Sequence, residues 1–246
     1  MRDFVDGGSP MARLEARGLW VGAGGQGLLD VPDLAFDGPG PSVILGPNGA
    51  GKTLLLRCLH GLTQPDSGEV CQDGVPLAGQ PGRRQAMVFQ KPVLLRRTVA
   101  ANLSFVLRRQ GLSRQRCKAR IADLLADAGL SALARRQARS LSGGEAQRLA
   151  IVRALAMQPA VLFLDEPTSA LDPAATQAIE TLILQASDRG TRVIMVSHDV
   201  AQARRIAAHI VLMRGGRVLE QAPAPQFFAG PKSKAARQFL AGGLLF

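Results

Sequence analysis

Short apolar runs alternate along this chain with stretches whose apolar residues recur every third or fourth position. The first pattern fits buried strands and the second fits helices that cover them. Ser42 to Leu45 reads as a strand feeding a Gly-rich turn, and Lys52 to His60 as the helix after it. Ala86 to Phe89 is another short strand. Val99 to Gln110 and Ser113 to Ala128 carry helical spacing, with Ser113 and Ser131 as expected caps. Glu145 to Met157 is a third helix, ended by Gln158 and Pro159. Val161 to Leu164 is wholly apolar, a strand with no wet face. Pro173 to Ala186 is helical, with Asp172 as its cap and Pro173 in its first position. Thr191 to Val196 is a strand, Asp199 to Ala208 a helix, and Ile210 to Leu219 a hairpin turning at Gly215 and Gly216.

Buried strands that alternate with helices imply a mostly parallel sheet covered on both faces. The helical block from Lys91 to about Ser140 interrupts the alternation and reads as a subdomain inserted into an α/β core. The 246 residues suit one large domain or two small ones, and 46% hydrophobic content allows a full core. No run approaches the roughly 18 apolar residues needed to span a bilayer. Met1 to Pro10 is polar and Gly-rich, without the apolar centre of a signal peptide. The chain is therefore expected to stay in the cytoplasm, its first ten residues a disordered tail and Met11 an alternative start. Cys58, Cys71 and Cys117 lie far apart and read as small apolar side chains in a reducing compartment.

A net charge of +11 admits a nucleic-acid surface, an anionic membrane face or a solvated basic surface. The absence of Tyr and of an RNA-binding aromatic pattern weighs against nucleic acid.

Three segments carry chemistry. Gly46-Pro47-Asn48-Gly49-Ala50-Gly51-Lys52-Thr53 fills every fixed place of G-x-x-x-x-G-K-[ST]. Glycines let backbone N–H groups approach a phosphate, and the helix beginning near Lys52 aims its N-terminus at the anion. Lys52 adds charge for the terminal phosphates, and the Thr53 hydroxyl can ligate Mg²⁺. The second segment is the strand Val161 to Leu164, closed by Asp165 and Glu166 at its C-terminal end, where ligand sites of open α/β sheets lie. Asp165 is placed to hold Mg²⁺ through water and Glu166 to polarise an attacking water. The third is Leu141-Ser142-Gly143-Gly144-Glu145, a second helix start able to take an anion. Its Ser142 and Glu145 also fit a capping box, and both readings can hold.

These segments resemble the nucleotide-binding subunits of ABC (ATP-binding cassette) transporters, in which the third is a signature written LSGGQ and here stands as LSGGE. Gln90 resembles that family's Q-loop glutamine, Ser169-Ala170-Leu171-Asp172 its D-loop, and His198 its switch histidine. The resemblance covers about residues 12–230 and implies a P-loop NTPase core with a mostly parallel sheet and flanking helices. It adds an N-terminal antiparallel β region and places the inserted helical subdomain at about residues 91–143. A tail of residues 1–11 precedes the domain. The tail at residues 231–246 is expected to be short and helical, without the regulatory β-domain that some importer ATPases carry.

The resemblance further implies ATP and Mg²⁺ as cofactors, with Gln90 joining Thr53 and Asp165 at the metal, and Gln90, Glu166 and His198 in catalysis. Two copies pack head to tail, so Ser142, Gly143 and Gly144 of one complete the phosphate loop of the other. Partners are an integral-membrane permease and a separate extracytoplasmic substrate-binding protein, with no nucleic acid; the ATPase sits on the cytoplasmic side of the membrane. Lys91 to Val99, Leu55 to Leu62 and Gln202 to Arg205 look like ATPases of tungstate- and molybdate-type oxyanion importers. An exporter ATPase remains open, as does a non-transport ABC ATPase acting on nucleic acid. Small-molecule P-loop kinases lack the Ser142-Gly143-Gly144 segment. The family's adenine platform aligns near Ala23; Trp20, three residues earlier, is either that platform or a core side chain.

Overall fold

The structure is a computed structural model that describes residues 11–78 and 84–242. The expected tail at Met1 to Pro10 and the last four residues lie outside the described residues. Among the described residues ten strands form one sheet. In chain order they are β1 (Leu14–Ala23), β2 (Gln26–Phe36), β3 (Ser42–Leu45), β4 (Ser67–Gln72), β5 (Val75–Pro76), β6 (Gln85–Val88), β7 (Val161–Asp165), β8 (Arg192–Val196), β9 (His209–Arg214) and β10 (Arg217–Pro223). Their spatial order is β5-β4-β1-β2-β10-β9-β3-β8-β7-β6. From β9 to β6 every neighbouring pair is parallel. At the other end β1, β2, β4 and β5 are antiparallel, as the resemblance implied. The hairpin β9–β10 joins the halves, through one parallel pairing of Arg217 with Asp30.

The continuous apolar runs of β3, β7 and β8 follow from cover on both faces. Successive side chains of a strand point to opposite faces. Val43, Leu45, Leu162, Leu164, Val193 and Met195 therefore enter one core cluster, while Ile44, Val161, Phe163, Ile194 and Val196 enter the other. Each such buried side chain contributes about 1.5–3 kcal/mol. Helix α1 (Lys52–His60) covers the second cluster. The first is covered by α2 (Val99–Arg108), α3 (Arg114–Asp127), α4 (Gly143–Leu155), α5 (Pro173–Asp188) and α6 (Val200–Ile206). Short helices α7 (Ala224–Ala229) and α8 (Lys234–Leu240) close the chain.

Caps explain most helix starts. Thr98, Ser113, Ser142, Asp172 and Asp199 each accept a hydrogen bond from an N–H of the first turn. Ser131 does not act this way. Leu133 and Ala134 donate back to the Leu130 and Ser131 carbonyls, closing a three-residue 3₁₀ turn at Ser131–Leu133 before an α-helix can form. Arg192, fully buried at the start of β8, donates to the carbonyls of Ala12 and Gly38 and ties the chain's first described residues to the core.

Candidate active site

Strand β3 delivers the chain to Gly46 at the C-terminal edge of the parallel sheet. Gly46 has φ 153°, and a Cβ there would lie 2.2 Å from the Met213 carbonyl oxygen, so only glycine fits. The turn ends on Gly51, the N-cap of α1, which offers no side-chain acceptor. The first-turn N–H groups are thus left facing the loop, the arrangement that takes an anion. Lys52 is buried, and its Nζ donates to the Gly46 carbonyl at 2.8 Å and the Pro47 carbonyl at 2.9 Å. Burial lowers its ammonium pKa, and nearby Glu166 and Asp165 oppose that shift. An open cavity of about 380 Å³ is lined by Asn48, Gly49, Lys52, Thr53 and Glu166, with Leu28 as one wall.

Strand β7, paired with β6 and β8, carries two carboxylates to this loop. Thr53 Oγ1 donates to Asp165 Oδ1 at 2.9 Å. Burial raises the Asp165 carboxyl pKa, and the Thr53 hydrogen bond opposes it. A hydroxyl and a desolvated carboxylate make a hard-oxygen pair of the kind that suits Mg²⁺. Glu166 stands in the left-handed region at φ 45°, its N–H donating to Val196 at 3.1 Å. Such a backbone costs about 1–3 kcal/mol for a residue other than glycine and concentrates at functional sites. It brings Glu166 Oε2 to 3.2 Å from Nδ1 of His198, the second residue after β8.

The remaining expected residues sit further out. Gln90, just past β6, donates from Nε2 to Ser169 Oγ at 3.3 Å, joining two loops expected to flank a nucleotide. Ser142 is exposed, and it shares a full capping box with Glu145. Backbone hydrogen bonding from Ser142 holds the Glu145 carboxyl below its ordinary range. Gly144 is buried, and a Cβ there would meet Ala175 Cβ at 2.6 Å. None of Ser142, Gly143 and Gly144 lines the cavity at the phosphate loop of this chain.

Trp20 is not among the residues lining that cavity either. Its ring covers Gly22 and Gly27, where a Cβ on Gly22 would sit 2.4 Å from the indole. Leu28, which sequence reasoning passed over, is the residue the β1–β2 hairpin turns toward the loop. A buried network was also missed. Gln202 donates to Thr168 at 2.8 Å and accepts from Ser197 at 3.0 Å, and Glu180 takes both a bond from Gln202 and a bidentate pair from Arg205. It braces the loops after β7 and β8, and no spacing in the chain announces it. Among the described residues no helix is long and apolar enough to cross a membrane.

Residues 40–169 match the family described as ABC transporter. The phosphate import ATP-binding protein PstB 2 of Natronomonas pharaonis is 38% identical, over 98% of this chain and 91% of its own. The tungstate uptake system ATP-binding protein TupC of Peptoclostridium acidaminophilum is 37% identical, over 80% of this chain and 92% of its own. Other relatives carry names for methionine and Fe(3+) import, so the transported solute varies among similar chains. A dimeric ATP-binding cassette solved in a post-hydrolysis state with ADP and phosphate superposes with TM-score 0.76, at 27% identity over 86% of this chain and 98% of that one. With its phosphate loop, its paired carboxylates and these relatives, the chain belongs to the ATP-binding subunits of ABC transporters and is an ABC-type ATPase.

Proposed function

We propose that this ATPase is the motor of an importer, and that two copies of it hold two Mg-ATP head to tail. The names of the similar import ATPases support the importer part, and the observation that carries the hydrolytic part is the convergence of Thr53 with Asp165 and of Glu166 with His198 at one phosphate loop. The loop from Gly46 to Lys52 binds the phosphates through backbone N–H groups and the Lys52 ammonium. Thr53 and Asp165, with Gln90 across the cleft, would hold Mg²⁺. When bound, that ion supplies charge neutralisation on the phosphate oxygens. Glu166 orients the attacking water and takes its proton, and His198 holds the Glu166 carboxylate in place. Ser142, Gly143 and Gly144 lie outside the cavity of their own chain, which supports their serving the loop of a second copy.

Coupling to a permease is proposed at a groove of about 360 Å³ between the core and the inserted helices. Phe89, Val93 and Met157 are exposed there and give it apolar walls. Gln90 follows Phe89 directly, so a change at its bond to Ser169 reaches the groove within one residue. In this reading the chain works on the cytoplasmic face of the membrane, and a separate extracytoplasmic protein delivers the solute. An oxyanion such as tungstate or phosphate is the proposed cargo, supported by the names of two close relatives.

Glu166→Gln tests the hydrolytic assignment. ATP binding should persist while turnover falls by about two to three orders of magnitude. Undiminished turnover would remove Glu166 as the base. For the cargo, cells carrying Lys52→Ala should lose accumulation of one oxyanion by elemental analysis. A loss confined to an organic solute would sink that part of the reading.

A further inference from the structure

Residues 91–142 hold twelve Lys and Arg against two Asp, so this segment carries ten of the chain's net eleven positive charges. Eleven of those twelve cations are exposed, and Arg120 alone is half-buried. Among the described residues none of the twelve forms an ion pair, and Asp127 is already taken by Arg189 outside the segment. A surface built for solubility mixes the two signs; this one does not.

The local chemistry is costly in two further ways. Helix α3 has no acid in its first turn, and places Arg114 and Arg116 at its positive end. Arg114 and Lys118 stand four residues apart on the same face, a like-charge pair that opposes helix formation. Among the described residues no acid forms an ion pair with Arg114, Arg116 or Lys118, so a partner outside the chain is the natural source of compensation. On α2, which packs against α3, Phe105 is exposed between two guanidiniums, with Arg97 5.7 Å and Arg109 5.2 Å from its ring centroid. Guanidiniums match phosphate oxygens, and an aromatic ring among cations suits the boundary between headgroups and acyl chains.

We propose that this face of α2 and α3 is a contact for an anionic lipid bilayer. It adjoins the proposed permease groove, because Val106, next to Phe105, lines that groove. A bilayer around a permease is therefore the extended anionic surface nearest to it. Arg97, Arg108, Arg109, Arg114 and Lys118 engage lipid phosphates while Phe105 seats between headgroups. The location rests on the proposed function, but lipid binding is measurable without permease or nucleotide.

The test is cosedimentation of the purified chain with phosphatidylcholine vesicles, with and without phosphatidylglycerol. The chain should pellet only with the anionic vesicles, and less so as salt rises. Replacing Arg108, Arg109 and Arg114 together by Gln should weaken partition roughly a hundred-fold, at about five-fold per cation. Replacing Arg217, Lys234 and Arg237 by Gln, an equal loss of charge elsewhere, should leave partition near wild type. Equal losses in the two triple variants would overturn the proposal, as would no binding to anionic vesicles or a preference for duplex DNA over them. ATPase rates of the same preparations separate the two readings. If the wild type binds lipid without hydrolysing ATP, the proposed function fails and the lipid contact stands.

Discussion

Thr53 and Asp165 are 112 residues apart in the chain, yet the hydroxyl of one donates to the carboxylate of the other at 2.9 Å. The contact joins the first turn of α1 to the end of β7, and it makes a local phosphate loop into a site with an acidic side. Desolvation there disfavours the ionised Asp165 carboxylate, so its pKa is raised above 3.8 in the folded chain. As pH rises through the window from 3.8 to that raised value, the unfolded chain ionises first and stability falls.

Asp165→Asn removes that cost and keeps an acceptor for Thr53. Without nucleotide its Tm at pH 7 should equal or exceed that of the wild type, while metal-dependent ATP hydrolysis is lost. A drop of several degrees in differential scanning calorimetry would show that the carboxylate stabilises the fold rather than serving a ligand.

The 3.2 Å contact between Glu166 and His198 predicts strong coupling in catalysis. His198→Ala should lower kcat by about one to three orders of magnitude, and adding it to Glu166→Gln should lower it little further. Additive losses in steady-state kinetics would mean that the two side chains act on separate steps.

Glu145 is held ionised by the backbone N–H of Ser142, with its pKa below 4.5. A depressed folded pKa gives stability that is present above 4.5 and is lost as pH falls through the folded value. Glu145→Ala should thus cost about 1 kcal/mol at pH 7. The gap to wild type should close in acid, provided denaturation stays two-state. A gap independent of pH would assign the loss to packing.

Gly144 is required where α4 crosses α5, because a Cβ would lie 2.6 Å from Ala175 Cβ. Gly144→Ala should cost about 1–3 kcal/mol, and Ala175→Gly should recover much of that stability. If the double variant regains its Tm but not ATPase activity, Gly144 also acts on the ligand. Full recovery of both would leave it a packing residue alone.

Much of this was readable along the chain. The loop from Gly46 to Thr53 is legible because phosphate binding needs adjacent residues, and adjacency is what a sequence displays. Asp165 and Glu166 are legible because they close a wholly apolar strand, and Asp172 and Ser142 because a cap acts within three residues. Leu28 was not legible. It is an ordinary apolar residue of β2 until the pairing of β2 with β10 sets it beside the phosphate loop. Where the Trp20 ring goes was not legible either: 41% exposed and so no core side chain, it lies over Gly22 of its own strand and Gly27 of β2, beside the irregular register at Val21 and Gly22.

Helices, strands, caps and the phosphate loop are therefore properties of the sequence itself, since each rests on interactions a few residues long. Which distant groups meet was decided only by the sheet. Placing β3 beside β8, and β8 beside β7, brings Thr53 to Asp165 and His198 to Glu166, while Gln202 ties Thr168 to Glu180. The same packing leaves Ser142 outside the cavity of its own phosphate loop. Strand order is a nonlocal choice made by burying both faces of the sheet at once, and no spacing along the chain encodes it.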